Sequence, residues 1–176
     1  MNKYWIYIII LLILGVSCLS LIVNNSDTVG SASQSVGHVI VSVPPDFSVY
    51  SSDSDSVSLV SSKGYKIAFS ELQNGRSSEK SFNNRVDELN KTAGETILKK
   101  GVLNVSNIPV YTVFYHSDKN EEHNELNSSI SYFEQYNHTY FLRIWGFNYV
   151  DDYDETIQYI TIILGNMRED YKQNKN

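Results

Sequence analysis

The sequence contains few of the residues on which familiar functional motifs depend. Its 176 residues include one cysteine, nine glycines and three prolines. A single cysteine excludes an intramolecular disulfide and any zinc site built from several thiolates. There is also no G-x-S-x-G motif, no glycine-rich phosphate loop and no cysteine–histidine pair. These absences weigh against an enzyme, and we expect no cofactor.

Charge is sparse and negative on balance. Charged residues make up 19% of the chain, the formal net charge is −6, and no cluster of lysine or arginine occurs. A surface that binds nucleic acid needs cations gathered on one face to neutralise the phosphates. The sequence therefore argues against nucleic acid as a partner.

One long apolar run stands near the start of the chain. Residues 4–23 contain no charged side chain. A helix of about 20 residues spans the hydrocarbon core of a bilayer, so we expect an uncleaved transmembrane anchor here. A cleavable signal peptide is the alternative, because Ser31-Ala32-Ser33 provides a small-x-small cleavage site.

The distribution of basic residues predicts the orientation of this anchor. Lys3 precedes the apolar run, and the next basic residue is Lys63. By the positive-inside rule, residues 1–3 are cytoplasmic and the rest of the chain lies outside. Residues 24–37 are mostly small and polar, which predicts a flexible tether. We therefore expect a single-pass protein of the cell membrane with an extracytoplasmic domain over 38–172.

This domain shows two kinds of apolar periodicity. Two-residue alternation or continuous apolar runs predict strands. The predicted strands cover 38–43, 56–61, 65–69, 102–105, 110–115, 130–136 and 139–147.

Spacing of three and four residues predicts two helices. The first is capped by Ser77 or Ser78 and carries an apolar stripe over 82–93. The second covers 154–167. The resulting order, β-β-β-α-β-β-β-β-α, predicts an α+β domain whose largely antiparallel sheet is packed between two helices, preceded by one transmembrane helix.

This order resembles the PsbP-like superfamily. The resemblance rests on the opening strand at 39–44, on Ile108-Pro109-Val110-Tyr111 at the start of a central strand, and on the closing helix at 154–167. It covers residues 38–170. The superfamily includes photosystem assembly subunits, a Ran-binding import factor and bacterial lipoproteins, so the resemblance implies a non-enzymatic binding or assembly role.

Histidine and carboxylate side chains come close together in one segment, at His116, Glu121, Glu122 and His123. Such groups suit zinc or manganese. The spacing matches no zinc-binding helix, however, and the segment is typical of a solvated loop. A metal-assisted enzyme centred on His116 and His123 is therefore a minor alternative, and we expect no metal site.

Two acidic groups have structural explanations. Asp53 and Asp55 resemble the start of a calcium loop, but Ser58 and Gly64 stand where an EF-hand requires glycine and glutamate. A polar turn accounts for them. The acidic residues at 151–155 complement the dipole at the start of the second helix.

Aromatic residues are concentrated in the C-terminal half. Tyr132, Tyr136, Tyr140 and Trp145 form a candidate surface for a glycan or peptide ligand, although core packing is the preferred interpretation. Simple alternation along the chain places the three tyrosines on one side of the sheet and Trp145 on the other.

N-x-S/T sequons provide candidate glycosylation sites on an outward-facing domain. Within the domain they occur at Asn90, Asn104, Asn127 and Asn137. Asn137 is the best candidate, because a hairpin turn is predicted across Asn137-His138.

These features together predict a membrane-anchored, non-catalytic binding or assembly module. The expected partner is another envelope protein, together with the membrane itself. The two alternatives are the glycan- or peptide-binding domain and the metal-assisted enzyme.

Overall fold

The alternating and helical patterns of the sequence correspond to ten strands and two α-helices in the described chain. The computed structural model describes residues 32–73, 75–118, 126–147 and 149–171. In chain order the elements are β1 (Ser33–Val36), β2 (Val39–Ser42), β3 (Phe47–Ser52), β4 (Ser56–Ser61), β5 (Lys66–Glu71), α1 (Ser78–Lys91), β6 (Glu95–Val105), β7 (Ile108–Ser117), β8 (Leu126–Gln135), β9 (His138–Phe147), α2 (Tyr149–Gly165) and β10 (Arg168–Glu169).

The strands form two antiparallel sheets. The main sheet has seven strands in the order β3-β4-β5-β9-β8-β7-β6, and the small sheet has three in the order β1-β2-β10. Every neighbouring pair is antiparallel, as expected where short turns join most of the neighbouring strands. The predicted α+β fold with a largely antiparallel sheet is confirmed.

Each face of the main sheet packs against one helix. On β7, Val113 and Phe114 are sequence neighbours that belong to different hydrophobic clusters. The cluster that contains Val113 also holds Phe82, Val86 and Leu89 of α1. The cluster that contains Phe114 also holds Tyr159, Ile160, Ile163 and Leu164 of α2, with Val36, Val39 and Val41 of the small sheet. The sheet therefore lies between the two helices, as predicted.

In the described residues five strands precede α1, whereas the sequence pattern predicted three. β1 lies inside the predicted tether over 24–37, so the tether prediction does not hold for Ser33–Val36. β3 was not predicted because only Phe47 of its six residues is buried, which leaves no alternation to detect. β6 is longer than predicted for a similar reason, since most of its side chains are exposed.

The predicted transmembrane anchor at 4–23 falls outside the described residues, as do residues 1–3 and most of the tether. In the part of the chain that is described, no helix is long and apolar enough to cross a membrane.

The β8–β9 hairpin differs from the prediction in its turn and in the faces of its side chains. Tyr136 and Asn137 form a two-residue turn with φ of +51° and +64°, the backbone of a type I′ hairpin. Tyr132 is paired with Phe141, and Phe133 with Tyr140. Directly opposite residues share a face, so Tyr132 and Tyr140 lie on opposite faces. The expected single tyrosine face was wrong, because alternation does not continue through a turn.

A polar network connects the β4–β5 turn to α2. Glu155 Oε1 accepts hydrogen bonds from Lys63 Nζ at 2.7 Å and from the Tyr159 hydroxyl at 2.6 Å. Glu155 Oε2 accepts one from the Tyr65 hydroxyl at 3.3 Å. The hydrogen bond from Lys63 is the main reason why the pKa of the Glu155 carboxyl lies below its ordinary value of 4.5.

This lowered pKa predicts an acid-dependent loss of stability. The ionised carboxylate stabilises the fold above the pKa of the unfolded chain, and the contribution is lost as the pH falls through the lowered folded-state pKa. In Glu155→Gln, we expect the melting temperature to fall less steeply than in the wild type between about pH 5 and pH 3. Circular dichroism melts of the full-length chain measure this. Asp154→Asn, at an exposed carboxyl of the same helix, is the control. Identical pH profiles for wild type and Glu155→Gln would contradict the prediction.

Candidate functional site

Three side chains from separate parts of the sequence meet at one end of the main sheet. His38 lies in the turn between β1 and β2, Glu71 is the last residue of β5, and His138 is the first residue of β9. β5 and β9 are neighbouring strands, with Glu71 paired to Tyr140. The β1–β2 turn brings His38 to the same place. We call these three residues the His–Glu–His cluster.

The Glu71 carboxylate is the centre of this cluster. Its Oε1 lies 2.8 Å from His138 Nδ1, and its Oε2 lies 2.9 Å from His38 Nδ1. The backbone N–H of His38 also donates to Glu71 Oε2 at 2.9 Å. The two imidazole rings are stacked, with centroids 3.8 Å apart and planes inclined by 15°.

Because the Glu71 side chain is buried, its hydrogen bonds decide whether the carboxylate is ionised. Only 3% of the Glu71 side chain is exposed, whereas about a third of each histidine side chain is. Burial alone would raise the pKa of the Glu71 carboxyl, but the hydrogen bonds from His38 and the electrostatic attraction of both histidines outweigh it, so the pKa is lowered. The carboxylate is therefore ionised at neutral pH. Each neutral imidazole that donates through Nδ1 keeps Nε2 as an acceptor.

Gly37 allows the chain to pass directly against Glu71. Its φ is +56°, and a Cβ at this position would overlap the Glu71 carboxylate. The Gly37 N–H donates to the Ser54 carbonyl at 2.7 Å, which holds the turn in place. Any side chain at position 37 would therefore disturb the cluster as well as strain the backbone.

The cluster lies in the wall of a cleft of about 540 Å³. Two contacts fix the shape of this cleft: the Thr139 hydroxyl donates to the Arg76 carbonyl at 2.9 Å, and the Ser78 N–H donates to Glu134 Oε1 at 2.8 Å. Besides the cluster, the polar residues that line the cleft are Gln73, Arg76, Ser77, Glu134, Asn137 and Thr139. The cleft thus offers a polar environment to a small ion or ligand.

The candidate aromatic surface is not brought together. Tyr132 is 8% exposed and Tyr140 is fully buried, on opposite faces of the hairpin. Trp145 is half-buried, with the Arg143 guanidinium 5.0 Å from its ring centroid. Tyr136, in the turn, is 37% exposed. A ligand surface built from these four residues stays a prediction.

The sequons differ in their surroundings. Asn90, Asn104 and Asn137 are exposed. Asn127 is half-buried, and both polar atoms of its side chain have partners. Its Oδ1 lies 3.0 Å from His116 Nδ1, and its Nδ2 donates to the Phe147 carbonyl at 3.0 Å. Glycosylation at these positions stays a prediction, with Asn127 the least accessible of the four.

The candidate metal ligands predicted from the sequence, His116, Glu121, Glu122 and His123, lie only partly within the described residues. His116 Nε2 lies 3.2 Å from Asp118 Oδ1. Glu121, Glu122 and His123 fall outside the described ranges. Among the residues that can be described, the one group of three side chains suited to a metal ion is the His–Glu–His cluster.

Sequence reasoning missed this cluster because its members are far apart in the chain. His38 and Glu71 are 33 residues apart, and no motif connects them to His138. The one local signal is that both histidines adjoin hairpin turns, at Gly37-His38 and Asn137-His138. That signal becomes informative only when the strand order is known.

Comparison with known proteins identifies the fold. No protein-family model matches the chain, and neither does the sequence of any curated protein. Among solved structures, the Ran-binding protein Mog1p of Saccharomyces cerevisiae is similar at 11% identity and a TM-score of 0.50, over 79% of this chain and 96% of that one. LpqN of Mycobacterium tuberculosis, involved in cell envelope biogenesis, has 12% identity and a TM-score of 0.52, over 78% of this chain and 90% of that one.

A further similar structure is the cyanobacterial PsbP of Synechocystis, with 10% identity and a TM-score of 0.48 over 82% of this chain and 96% of that one. Identities of this size establish the fold alone. The described domain has an α+β fold similar to the folds of Mog1p and LpqN.

The contact between Gly37 and Glu71 is testable with a matched pair of glycine variants. Gly37 and Gly75 have φ of +56° and +61°, but a Cβ on Gly75 would meet nothing within 4 Å. Gly75→Ala should therefore cost only backbone strain, about 1–2 kcal/mol. Gly37→Ala should cost roughly 1–3 kcal/mol more, because it displaces a buried carboxylate from its donors. Urea unfolding of the full-length chain measures both. Equal losses would show that the cluster does not depend on Gly37.

Proposed function

We propose that this domain is a non-catalytic binding or assembly module, displayed on the outer side of the cell membrane by an anchor at residues 4–23. The observation that carries the binding role is the covered sheet. One face of the main sheet packs against α2 and the small sheet, and α1 covers the other face over β6, β7 and β8. A protein partner therefore has access chiefly to the strand edges, the connecting turns and the uncovered face of β3, β4 and β5.

The β6 edge is the surface best suited to a partner. β6 is 11 residues long and ends the main sheet, pairing with β7 in the described chain. It exposes 39% of Leu98 and 58% of Val102. The outer edge of such a strand offers backbone donors and acceptors to an added strand, and its exposed side chains provide selectivity.

The charges on this edge favour a partner of a particular kind. Lys100 is exposed, Lys99 is exposed but donates to the Tyr153 hydroxyl at 2.8 Å, and a bulge interrupts the register between Ile97 and Lys99. Lysines and bulges oppose indiscriminate pairing between edges. We expect the partner to contribute an extended segment that combines apolar and acidic side chains.

The likeness to solved structures supports the same role. Mog1p is described as Ran-binding, and LpqN is described as involved in cell envelope biogenesis. The first description supports protein binding, and the second supports an envelope location. The glycan- or peptide-binding alternative has less support, because Tyr132 and Tyr140 are buried.

Site-specific photo-crosslinking tests the binding role. A photoreactive amino acid at Val102 of the full-length chain should give one discrete adduct with an envelope protein in native membranes. The same residue at Asn83, on the exposed side of α1, is the matched control and should give none. Equal adducts at both positions, or none at Val102, would contradict the proposal. An adduct of twice the chain's own mass would show that the partner is a second copy of this chain and not another envelope protein.

Cysteine labelling tests the location independently of any partner. Cys18 is the single native cysteine, so Cys18→Ser provides a background for introduced thiols. Ser51→Cys, at an exposed position of β3, should react with a membrane-impermeant maleimide in intact cells. Asn2→Cys should react only after permeabilisation. Labelling of Ser51→Cys that also requires permeabilisation would place the domain inside the cell. The mass of the mature chain distinguishes the anchor from a cleaved signal peptide.

A further inference from the structure

We propose that His38, Glu71 and His138 form a binding site for a divalent transition-metal ion, with Zn²⁺ as the best match. This site goes beyond the proposed binding role and does not depend on it. Its position, at the end of the main sheet where the β1–β2 turn meets β5 and β9, differs from the β6 edge.

The donor set suits this class of ion. Each of the three residues offers one ligand atom, and these atoms all lie within 4.8 Å of one another. Two imidazoles and one carboxylate are typical ligands of zinc, whereas calcium and magnesium prefer sites made of oxygen atoms alone.

The distances between the ligand atoms of the cluster are already close to those of a metal-bound site. His38 Nδ1 and His138 Nδ1 lie 2.9 Å and 2.8 Å from the two oxygens of Glu71. Ligand atoms bound at about 2.0–2.1 Å around a tetrahedral zinc ion are roughly 3.3 Å apart. The donors therefore need to separate by only about half an ångström. Each Nδ1 becomes free to bind the ion when its proton moves to Nε2, so both imidazoles stay neutral and no proton is lost overall.

The rings have room for this rearrangement. As stacked, they are inclined by only 15°, so both must turn for their Nδ1 lone pairs to converge on one ion. About a third of each histidine side chain is exposed, and both rings border the cleft. Glu71 cannot move as freely, because Gly37 lies against its carboxylate and the His38 N–H binds it. The carboxylate is the fixed ligand, and the histidines close on the ion.

The local charge also favours a cation. The Glu71 carboxylate is buried and ionised, and the cleft is also lined by one further carboxylate, Glu134, and one guanidinium, Arg76, so negative charge is in excess. A zinc ion with three protein ligands keeps a fourth position for water or a further ligand, and here the cleft provides access to that position. Bound metal would also clamp the small sheet to the main sheet through His38.

Metal titration of the full-length chain in detergent micelles tests this site. After removal of metal with chelator, Zn²⁺ is titrated calorimetrically, and Co²⁺ is followed by its visible absorption, which is intense in tetrahedral coordination. We expect one equivalent to bind. His38→Gln and His138→Gln should each weaken the affinity by about 100-fold or more. His116→Gln, at a histidine outside the cluster, should leave it unchanged.

Two results would overturn the proposal. If His38→Gln and His138→Gln bind zinc as the wild type does, the ion is held elsewhere in the chain. If the wild type binds no more zinc than these variants, the cluster is a purely hydrogen-bonded contact. Circular dichroism in the absence of metal shows whether each variant is folded.

A measurement on the wild type alone covers the case in which a variant does not fold. With ¹⁵N-labelled imidazoles, zinc should shift the ring nitrogen resonances of His38 and His138 and leave those of His116 in place. Unchanged resonances for His38 and His138 at saturating zinc would exclude them as ligands.

Discussion

Strand β7 buries Val113, Phe114 and Tyr115 in succession, so large apolar side chains leave both of its faces. Such a strand is stable only between two apolar layers. The amphipathic face of α1 provides one layer, and α2 with the small sheet provides the other. Because the apolar faces of both helices are buried in this core, neither face is available to a partner. A function of the domain must therefore use other surfaces, among them the strand edges, the turns and the polar outer sides of the helices.

The same two-sided burial explains which parts of the fold were predictable. Strands β7 and β9 and both helices carry strong apolar patterns, and these patterns determine the layer order. β1 and β3 carry weak ones: β1 is Ser33-Gln34-Ser35-Val36, and only Phe47 of β3 is buried. Backbone hydrogen bonds to a neighbouring strand stabilise such strands, and these bonds produce no apolar periodicity in the sequence. The sheet faces of Tyr132 and Tyr140 could be predicted only with the exact position of the turn, because a two-residue turn determines which residues of the two strands lie opposite each other.

The His–Glu–His cluster was beyond sequence reasoning for a related reason. Its geometry depends on β5 lying beside β9, a neighbour relation that crosses α1 and three intervening strands. It also depends on the β1–β2 hairpin, an element whose first strand has no detectable pattern. The four residues at 116 and 121–123 looked more promising because they are close in sequence. Closeness in sequence is a poor guide to this site. Neighbouring strands of a sheet can bring together residues that are many positions apart in the chain, as β5 and β9 do here.

Stability alone does not account for a carboxylate at position 71. Only 3% of the Glu71 side chain is exposed, and removing a carboxylate from water costs several kcal/mol, which its partners must offset. Replacing such buried charged groups together by apolar residues of similar volume is often neutral or stabilising. The chain instead surrounds the carboxylate with two imidazoles and a backbone amide, and it places a glycine with positive φ where any side chain would collide with it. Each of these features holds an ionised group at a fixed point beside a cleft that reaches solvent. Fixed negative charge with two titratable nitrogen donors is useful for holding a cation, and it has little use in a core that serves packing alone.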